Sequence, residues 1–242
     1  MVLNITYFTN KGNRQNNEDS LLINDLIISN EDMKEIETLS ISLSTNLFAV
    51  ADGMGGYEKG EVASNFILHQ LKKNIQNDIE LTLQHIKKEL DNFSNKNPEF
   101  NEIGAVLAGI YFDDEIVTIF NVGDSRIYQL NFGFLDQLSK DHSFVYSLYE
   151  NGAIEYDEIQ NHPKKNIVTS AFMPNQKITI YQKELLLNNQ EFFICSDGVW
   201  ENFNLDELEE ILNEKEFSTL IKKIWEKGAS DNFSFIHIKV EE

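Results

Sequence analysis

The sequence predicts an α+β domain built in layers, and three observations carry that prediction. Short apolar runs of strand length recur along the chain, and several are joined by connectors too tight for a crossover, which makes neighbouring strands antiparallel. The longer helical patterns fall in pairs, one from about Val62 to Phe93 and one from Leu205 to Trp225, rather than alternating with single strands. The closing run sets Ser234, Ile236, Ile238 and Val240 against Phe233, Phe235, His237 and Lys239, the period of two that a strand imposes.

Taken in order, Ile5 to Phe8 and Ser20 to Ile28 read as strands flanking the polar loop Lys11-Gly12-Asn13-Arg14-Gln15-Asn16-Asn17-Glu18-Asp19. Asn30 to Glu37 is acidic and aperiodic, a solvated excursion before the apolar strand Leu47-Phe48-Ala49-Val50-Ala51. Beyond the glycines that follow, Val62, Phe66, Ile67 and Leu71 recur at helical spacing to about Asn74. Leu83, Ile86 and Leu90 mark one face of a second helix, Ile79 to Phe93, which Ser94-Asn95-Lys96-Asn97-Pro98 ends. Gly104 to Phe112, Glu115 to Val122 and Arg126 to Leu130 are strands, with Asp113-Asp114 turning the first onto the second and Phe134 to Leu138 extending the meander. Phe144, Leu148 and Ala153 suggest a helix, followed by an irregular polar span, Glu155 to Lys165, expected to be a mobile surface segment. Strands at Ile178 to Leu187 and Glu191 to Cys195 and helices at Leu205 to Leu212 and Phe217 to Trp225 lead to the final strand. With no repeat or linker in view, the expectation is one domain over residues 1–242, a size that buries roughly 70 to 75% of its unfolded surface.

The chain carries 40 acidic and 20 basic residues, a formal net charge of −20. A field of that sign repels nucleic acid and anionic lipid, so neither is an expected partner; over most of the surface it serves solubility. Cys195 is the only cysteine, which excludes an internal disulfide and fits a reducing compartment. No apolar stretch approaches the ~20 residues of a membrane helix, and Met1 to Thr9 lacks the charged start of a secretion signal; a cytoplasmic protein is expected.

Aspartates stand where apolar runs end. Leu47 to Ala51 runs into Asp52-Gly53-Met54-Gly55-Gly56, Phe192 to Ser196 into Asp197-Gly198, and Ile119 to Gly123 into Asp124. Asp231-Asn232 stands just ahead of the last strand, and Glu18-Asp19 just ahead of the second. Each alone reads as an ordinary turn. Converging at one sheet edge, they would be a cluster of like charges able to stay ionised only around a cation, and oxygen-only ligands select Mg²⁺ or Mn²⁺ over Zn²⁺. A carboxylate shared by two ions ~3.5 to 4 Å apart would help make water a nucleophile near neutral pH. A guanidinium is the natural clamp for a phosphoryl group, and Arg14 is the arginine nearest the set.

Arg14-Gln15-Asn16-Asn17-Glu18-Asp19, Asp52-Gly53-Met54-Gly55-Gly56, Gly123-Asp124-Ser125-Arg126, Asp141-His142-Ser143, Ser196-Asp197-Gly198-Val199-Trp200 and Asp231-Asn232, in that order, resemble the motifs of the protein phosphatase 2C family, the metal-dependent serine/threonine phosphatases, in their bacterial form. The resemblance covers nearly the whole chain. It implies a four-layer α-β-β-α sandwich, two central mainly antiparallel sheets flanked by helix pairs, with metals in a cleft at one end. It implies that Asp52 bridges two ions, Asp197 and Asp231 hold the first, and Glu18 and the Gly53 carbonyl hold the second. Asp19 would orient a metal-bound water, Arg14 would grip the phosphate, and Asp124 with Asp197 would bind a third, weaker ion. The implied reaction is direct in-line attack on phosphorus by a hydroxide bridging two Mn²⁺ or Mg²⁺ ions, without a phosphoenzyme. The implied partners are phosphorylated proteins and an opposing serine/threonine kinase, with the phosphatase a monomer.

Met54 stands where animal members of the family carry a histidine suited to protonating the leaving alkoxide, so a metal-bound water is the expected acid. Phe172-Met173-Pro174-Asn175-Gln176 replaces a stretch in which many relatives have glycine. His142, Arg126 and Trp200 read as structural, Cys195 as a buried small hydrophobe, and Lys164 and Lys165 as a solvated face. Position 201 is glutamate, which excludes a Cys-x5-Arg phosphatase loop at Cys195, and no Gly-Lys-Ser/Thr ending marks a P-loop. Two other readings share the fold: a phosphate-binding pseudo-phosphatase, and a hydrolase of small phosphorylated metabolites.

Overall fold

The computed structural model describes residues 1–54 and 59–241, so Gly55 and Gly56 of the Asp52 motif lie outside the described residues. In chain order, β1 (Val2–Asn10), β2 (Asp19–Ile23), β3 (Leu26–Ser29), β4 (Glu37–Ser42) and β5 (Asn46–Met54) are followed by α1 (Gly60–Asn74) and α2 (Ile79–Lys96). Then come β6 (Gly104–Asp113), β7 (Ile116–Val122), β8 (Arg126–Asn131), β9 (Phe134–Gln137) and the short α3 (Phe144–Glu150). β10 (Tyr181–Leu186), β11 (Glu191–Cys195), the one-turn α4 (Asp197–Trp200), α5 (Leu205–Glu214), α6 (Phe217–Glu226) and β12 (Phe233–Glu241) complete it. The strands form two six-stranded sheets, ordered β4-β1-β12-β11-β8-β9 and β10-β7-β6-β5-β2-β3, with antiparallel pairing throughout.

Burial on both faces explains the sequence of the central strands. In β5, Phe48 and Val50 pack between the sheets with Leu21, Ile110, Ile194 and Ile236. Leu47, Ala49 and Ala51, on the alternate face, lie under Ile67 and Leu71 of α1 and Leu83, Ile86 and Leu90 of α2. A strand covered on both sides reads as an unbroken apolar run. The same holds for β12: Ile236, Ile238 and Val240 enter the central core, while Phe233 and Phe235 meet Leu208, Ile211, Leu220 and Ile224 of α5 and α6. Each such buried side chain contributes roughly 1.5–3 kcal/mol. The layers are therefore helix pair, sheet, sheet, helix pair, the expected four-layer sandwich. β1 and β12 pair along their whole length, from Val2 opposite Glu241 to Asn10 opposite Phe233.

Three expectations change. The strand expected over Ser20 to Ile28 is a hairpin, β2 and β3, because Asn24 turns the chain at φ 55°, a region asparagine tolerates. The stretch before Leu47 holds a strand, β4, lying on the outside of β1. Glu155 to Lys165, expected to move freely, is pinned. Gln160 Nε2 donates to the carbonyls of Glu201 (2.7 Å) and Phe203 (2.9 Å), the Tyr156 hydroxyl to Gln137 (2.6 Å), and Lys165 pairs with Glu201 at 2.6 Å. Gln160 is committed to carbonyls left free beyond α4, while Glu155, Asp157, Glu158, Asn161 and Lys164 stay exposed.

Candidate functional site

Asp52 lies two residues before the end of β5, opposite Asp19 of β2 in the ladder. Like charges in that position repel. The Gly53 N–H donates to the Glu18 carbonyl (3.1 Å), which also accepts from the Ser64 hydroxyl of α1 (2.6 Å). A Cβ on Gly53 would come within 2.3 Å of the Gly60 oxygen and 2.7 Å of the Glu18 oxygen, so only glycine lets these three segments meet. The Gly60 N–H, at the start of α1, donates to Glu18 Oε1 at 3.2 Å, where a helix N-terminus favours negative charge.

The other sheet supplies the opposite wall. Asp197 begins α4 directly after β11, and Asp231 precedes β12, the strand paired with β11. A Cβ on Gly198 would lie 1.8 Å from the Asn232 carbonyl oxygen, which makes glycine the condition for this approach. Asn232 ties the loop to the amino-terminal segment: its Oδ1 accepts the Glu18 N–H (2.8 Å), and its Nδ2 donates to the carbonyls of Lys11 and Asn16 (both 2.9 Å). Arg14 is anchored on the same loop, Nη2 to Asp231 Oδ2 at 2.8 Å and Nε to the Ser230 carbonyl at 3.1 Å, while more than half of its side chain stays exposed. The acids thus stand at ends of two facing sheets rather than along one sheet edge, close enough that Asp19, Asp197, Asp124 and Asp231 add to the effect of burial on Asp52.

Burial and those like charges raise Asp52 and Asp197 well above the ordinary carboxylate range. Burial lifts Asp19 to about 7 despite two hydroxyl donors, and lifts Asp124, with help from Asp141, to about 7. Glu18 is raised by burial, partly opposed by the Gly60 N–H. Asp19 and Asp124 are buried, whereas Glu18, Asp52, Asp197 and Asp231 keep partial access to solvent. Among the described residues no three acids are drawn into a finished cation cage; what they share is a field. Asp19 Oδ1 is buried with no hydrogen-bond partner among the described residues, and Oδ2 accepts from Ser196 and Ser234.

Around Asp124 the neighbours are structural. The Trp200 Nε1–H donates to the Asp124 carbonyl (3.0 Å). The Arg126 guanidinium lies 3.6 Å over the Trp200 ring and binds Asp141 through Nη2 (2.6 Å) and Nε (3.0 Å). His142 Nδ1 accepts the Gly123 N–H (3.0 Å), and burial pushes this imidazole down to about 4, so it stays neutral. A cavity of about 510 Å³ lined by Arg126, Tyr128, Tyr156 and Trp200 opens beyond this layer, and none of the six expected ligands borders it. Sequence reasoning missed Thr9, Asn17, Ser196 and Ser234, the buried polar set around Asp19. Their signal was a serine at an inward-facing strand position, which a strand reading absorbs without comment.

A sequence profile of the family described as protein phosphatase 2C matches residues 29–234, a span that holds Asp52, Asp124, Asp197 and Asp231 but starts after Arg14, Glu18 and Asp19. The chain is similar to the serine/threonine phosphatase stp of Listeria monocytogenes serotype 4b (strain F2365), with 31% identity over 208 residues, 78% of this chain and 82% of that one. Among solved structures it is similar to the Mycobacterium tuberculosis serine/threonine phosphatase PstP/Ppp, with a TM-score of 0.81, 25% identity and coverage of 100% of both chains. In fold it also matches the catalytic domain of the serine threonine protein phosphatase PstP in complex with 2 manganese ions, with a TM-score of 0.78, 23% identity and coverage of 100% of both chains.

Proposed function

Because the chain belongs to the protein phosphatase 2C family, we propose that it hydrolyses phosphoserine and phosphothreonine in proteins with divalent metal ions, residues 1–242 acting as one catalytic domain. The observation that carries this reading is the field at Asp52, which Asp19, Asp197, Asp124 and Asp231 all push toward protonation. Carboxylates so arranged are ionised at neutral pH only in the company of a cation. An all-oxygen donor set fits a hard divalent ion, and the unpartnered Asp19 Oδ1 fits an acceptor waiting at its edge.

In this reading Glu18, Asp52, the Gly53 carbonyl, Asp197 and Asp231 would hold two divalent ions, and Asp124 with Asp197 would hold a third, weaker one. Mn²⁺ or Mg²⁺ bound there supplies positive charge that makes water a nucleophile near neutral pH and neutralises phosphoryl oxygens. Arg14, anchored on Ser230 and Asp231, keeps donors in its exposed guanidinium for a phosphoryl oxygen. Asp19 receives a hydrogen bond from the attacking water and fixes its direction. Cys195 is buried with its thiol pushed up by that burial, so it offers no nucleophile, and the phosphoryl group passes directly to water. His142 keeps its role as an acceptor for the backbone, so proton delivery to the leaving group falls to solvent in the site rather than to an imidazole.

The protein acts as a cytoplasmic monomer against the products of a serine/threonine kinase. Among the described residues no helix is long and apolar enough to cross a membrane. Hydrolysis of para-nitrophenyl phosphate and of a phosphothreonine peptide, with Mn²⁺ and with chelator, tests the reading. Turnover should require the metal and fall about 10²-fold or more in Asp52→Asn and Asp231→Asn. Turnover indifferent to both changes, or absent at every metal concentration, refutes it. A small phosphorylated metabolite preferred by kcat/KM over every phosphopeptide would refute the protein substrate.

A further inference from the structure

Behind Asp19 lies a set of hydroxyls whose donor directions follow from the state of that one carboxylate. Ser234 Oγ is 2.6 Å and Ser196 Oγ 2.8 Å from Asp19 Oδ2. Where Asp19 is ionised, as it is beside the proposed cations, it has no proton to give, so each serine spends its single proton on that oxygen. Thr9 Oγ1 is 2.7 Å from Ser234 Oγ, and with the Ser234 proton committed, Thr9 donates to Ser234. Thr9 in turn accepts from Asn17 Nδ2 at 2.7 Å, and the other Asn17 amide proton goes to the Glu31 carbonyl at 2.7 Å. Asn17 Oδ1 accepts the Asp19 N–H at 3.2 Å, and Ser196 Oγ accepts the Ser234 N–H at 3.1 Å, so both ends are tied to backbone. Thr9 and Ser234 stand directly opposite each other in the β1–β12 ladder. Thr9, Ser196 and Ser234 are 0% exposed, Asp19 1% and Asn17 5%, so the set lies away from bulk solvent.

From Asn17 through Thr9 and Ser234, and separately from Ser196, the side-chain donors lead to one oxygen of one carboxylate, and the other oxygen of that carboxylate has no hydrogen-bond partner among the described residues. We infer that Asn17, Thr9, Ser234 and Ser196 form a one-way donor relay that clamps Asp19 Oδ2, so that Oδ1 is held toward the acid cluster as a fixed acceptor for the attacking water. Thr9 and Ser234 are then positioning residues for the reaction, acting through Asp19 and touching nothing that reacts. The inference rests on the phosphatase reading for the identity of the reaction, but the clamp itself follows from hydroxyl chemistry. A packing role alone makes a different prediction. A buried Thr–Ser pair between strands can be exchanged for Val–Ala at some cost in stability and none in turnover, whereas a clamp transmits its loss to the site.

The test uses Thr9→Val, Thr9→Ser, Ser234→Ala and the double variant Thr9→Val/Ser234→Ala. The readouts are para-nitrophenyl phosphate kinetics with Mn²⁺, Mn²⁺ affinity by calorimetry, and urea unfolding. Groups that orient a metal site from one layer out cost about 10–100-fold in affinity or activity when removed. Ser234→Ala should lower kcat by about that range with KM held within about twofold, and weaken Mn²⁺ binding severalfold. Thr9→Val should act in the same direction more weakly, and Thr9→Ser should restore both. The double variant should match Ser234→Ala alone, since Thr9 acts only through Ser234. Should Ser234→Ala fail to fold, the comparison of Thr9→Val with Thr9→Ser decides. Unchanged kcat and Mn²⁺ affinity in folded variants, with lower unfolding midpoints, overturn the relay while leaving the phosphatase reading intact. Absent turnover in the wild-type protein, with Mn²⁺ affinity still falling in the variants, would instead remove the reaction and keep the clamp.

Discussion

Replacing Asp52 by asparagine should change stability with opposite sign in the two metal conditions. Asp19 and Asp124 sit at about 7, against about 4 for an unfolded aspartate. Burial and neighbouring carboxylates also raise Asp52 and Asp197 well above the ordinary carboxylate range. A carboxyl whose folded pKa lies above its unfolded pKa binds more protons when folded in the interval between the two, so stability falls as pH rises through that interval. Three units correspond to about 4 kcal/mol for an isolated group before relaxation. Asp52 keeps partial access to solvent and shares its field with four neighbours, so its own share lies below that ceiling. In chelator at pH 8, Asp52→Asn should therefore be more stable than wild type, by less than about 4 kcal/mol in urea unfolding. The wild-type excess instability should disappear as pH falls from 8 to about 5, where the cluster is protonated. With Mn²⁺ at a hundred times its dissociation constant, wild type should gain about 2.7 kcal/mol and the variant far less, which reverses their order. A variant less stable than wild type in chelator, or an equal Mn²⁺ gain in both proteins, would refute the reasoning that these acids repel one another across a cation site.

Two further changes test the surroundings of that site. Arg126→Met leaves Asp141 buried without its guanidinium and should cost about 3–5 kcal/mol, most of which Arg126→Met/Asp141→Leu should recover; a single-variant loss below about 1 kcal/mol would show the pair to be idle. Phe132, 96% exposed at the β8–β9 turn, holds φ 50° beside Gly133 at φ 87°, where asparagine is at ease and phenylalanine is not, so Phe132→Asn should raise stability by about 1 kcal/mol with turnover unchanged. A lower unfolding midpoint in that variant would mean the ring has a packing role.

The sequence made Asp52 findable because Leu47 to Ala51 is buried on both faces, and a doubly buried strand has a hydrophobic signature that a one-sided strand lacks. β4 shows the converse. It covers the outer edge of β1 with only Leu39 and Ile41 turned to the core, and Glu37, Thr38, Ser40 and Ser42 read as solvent-loving because they largely are. The turn at Asn24 was hidden by apolar residues on both sides, since two short strands in a hairpin present the same string of side chains as one longer strand. In Glu155 to Lys165 the anchors at Tyr156, Gln160 and Lys165 were hidden for a different reason: polar side chains do not announce whether their partner is water or another part of the protein.

The carboxylates themselves stood out because Asp52, Asp124 and Asp197 end apolar runs while Glu18, Asp19 and Asp231 come just ahead of strands, and charge has few structural uses at either place. The relay behind Asp19 was not, because a hydroxyl has many uses and its meaning depends on partners drawn from β1, β11 and β12 at once. Nothing in Phe233-Ser234-Phe235 distinguishes a serine that fills space from one that directs a proton. What separates them is the exhaustion of alternatives: once Ser234 is spent on Asp19, Thr9 has only Ser234 to serve, and Asn17 only Thr9 and Glu31. Direction in such a chain is therefore a property of the closed network, and appears only when the strands that carry its members are paired. An inward-facing polar residue on a strand otherwise built of isoleucine and valine is the one advance sign of it, since burying an unsatisfied hydroxyl costs more than burying a methyl in its place.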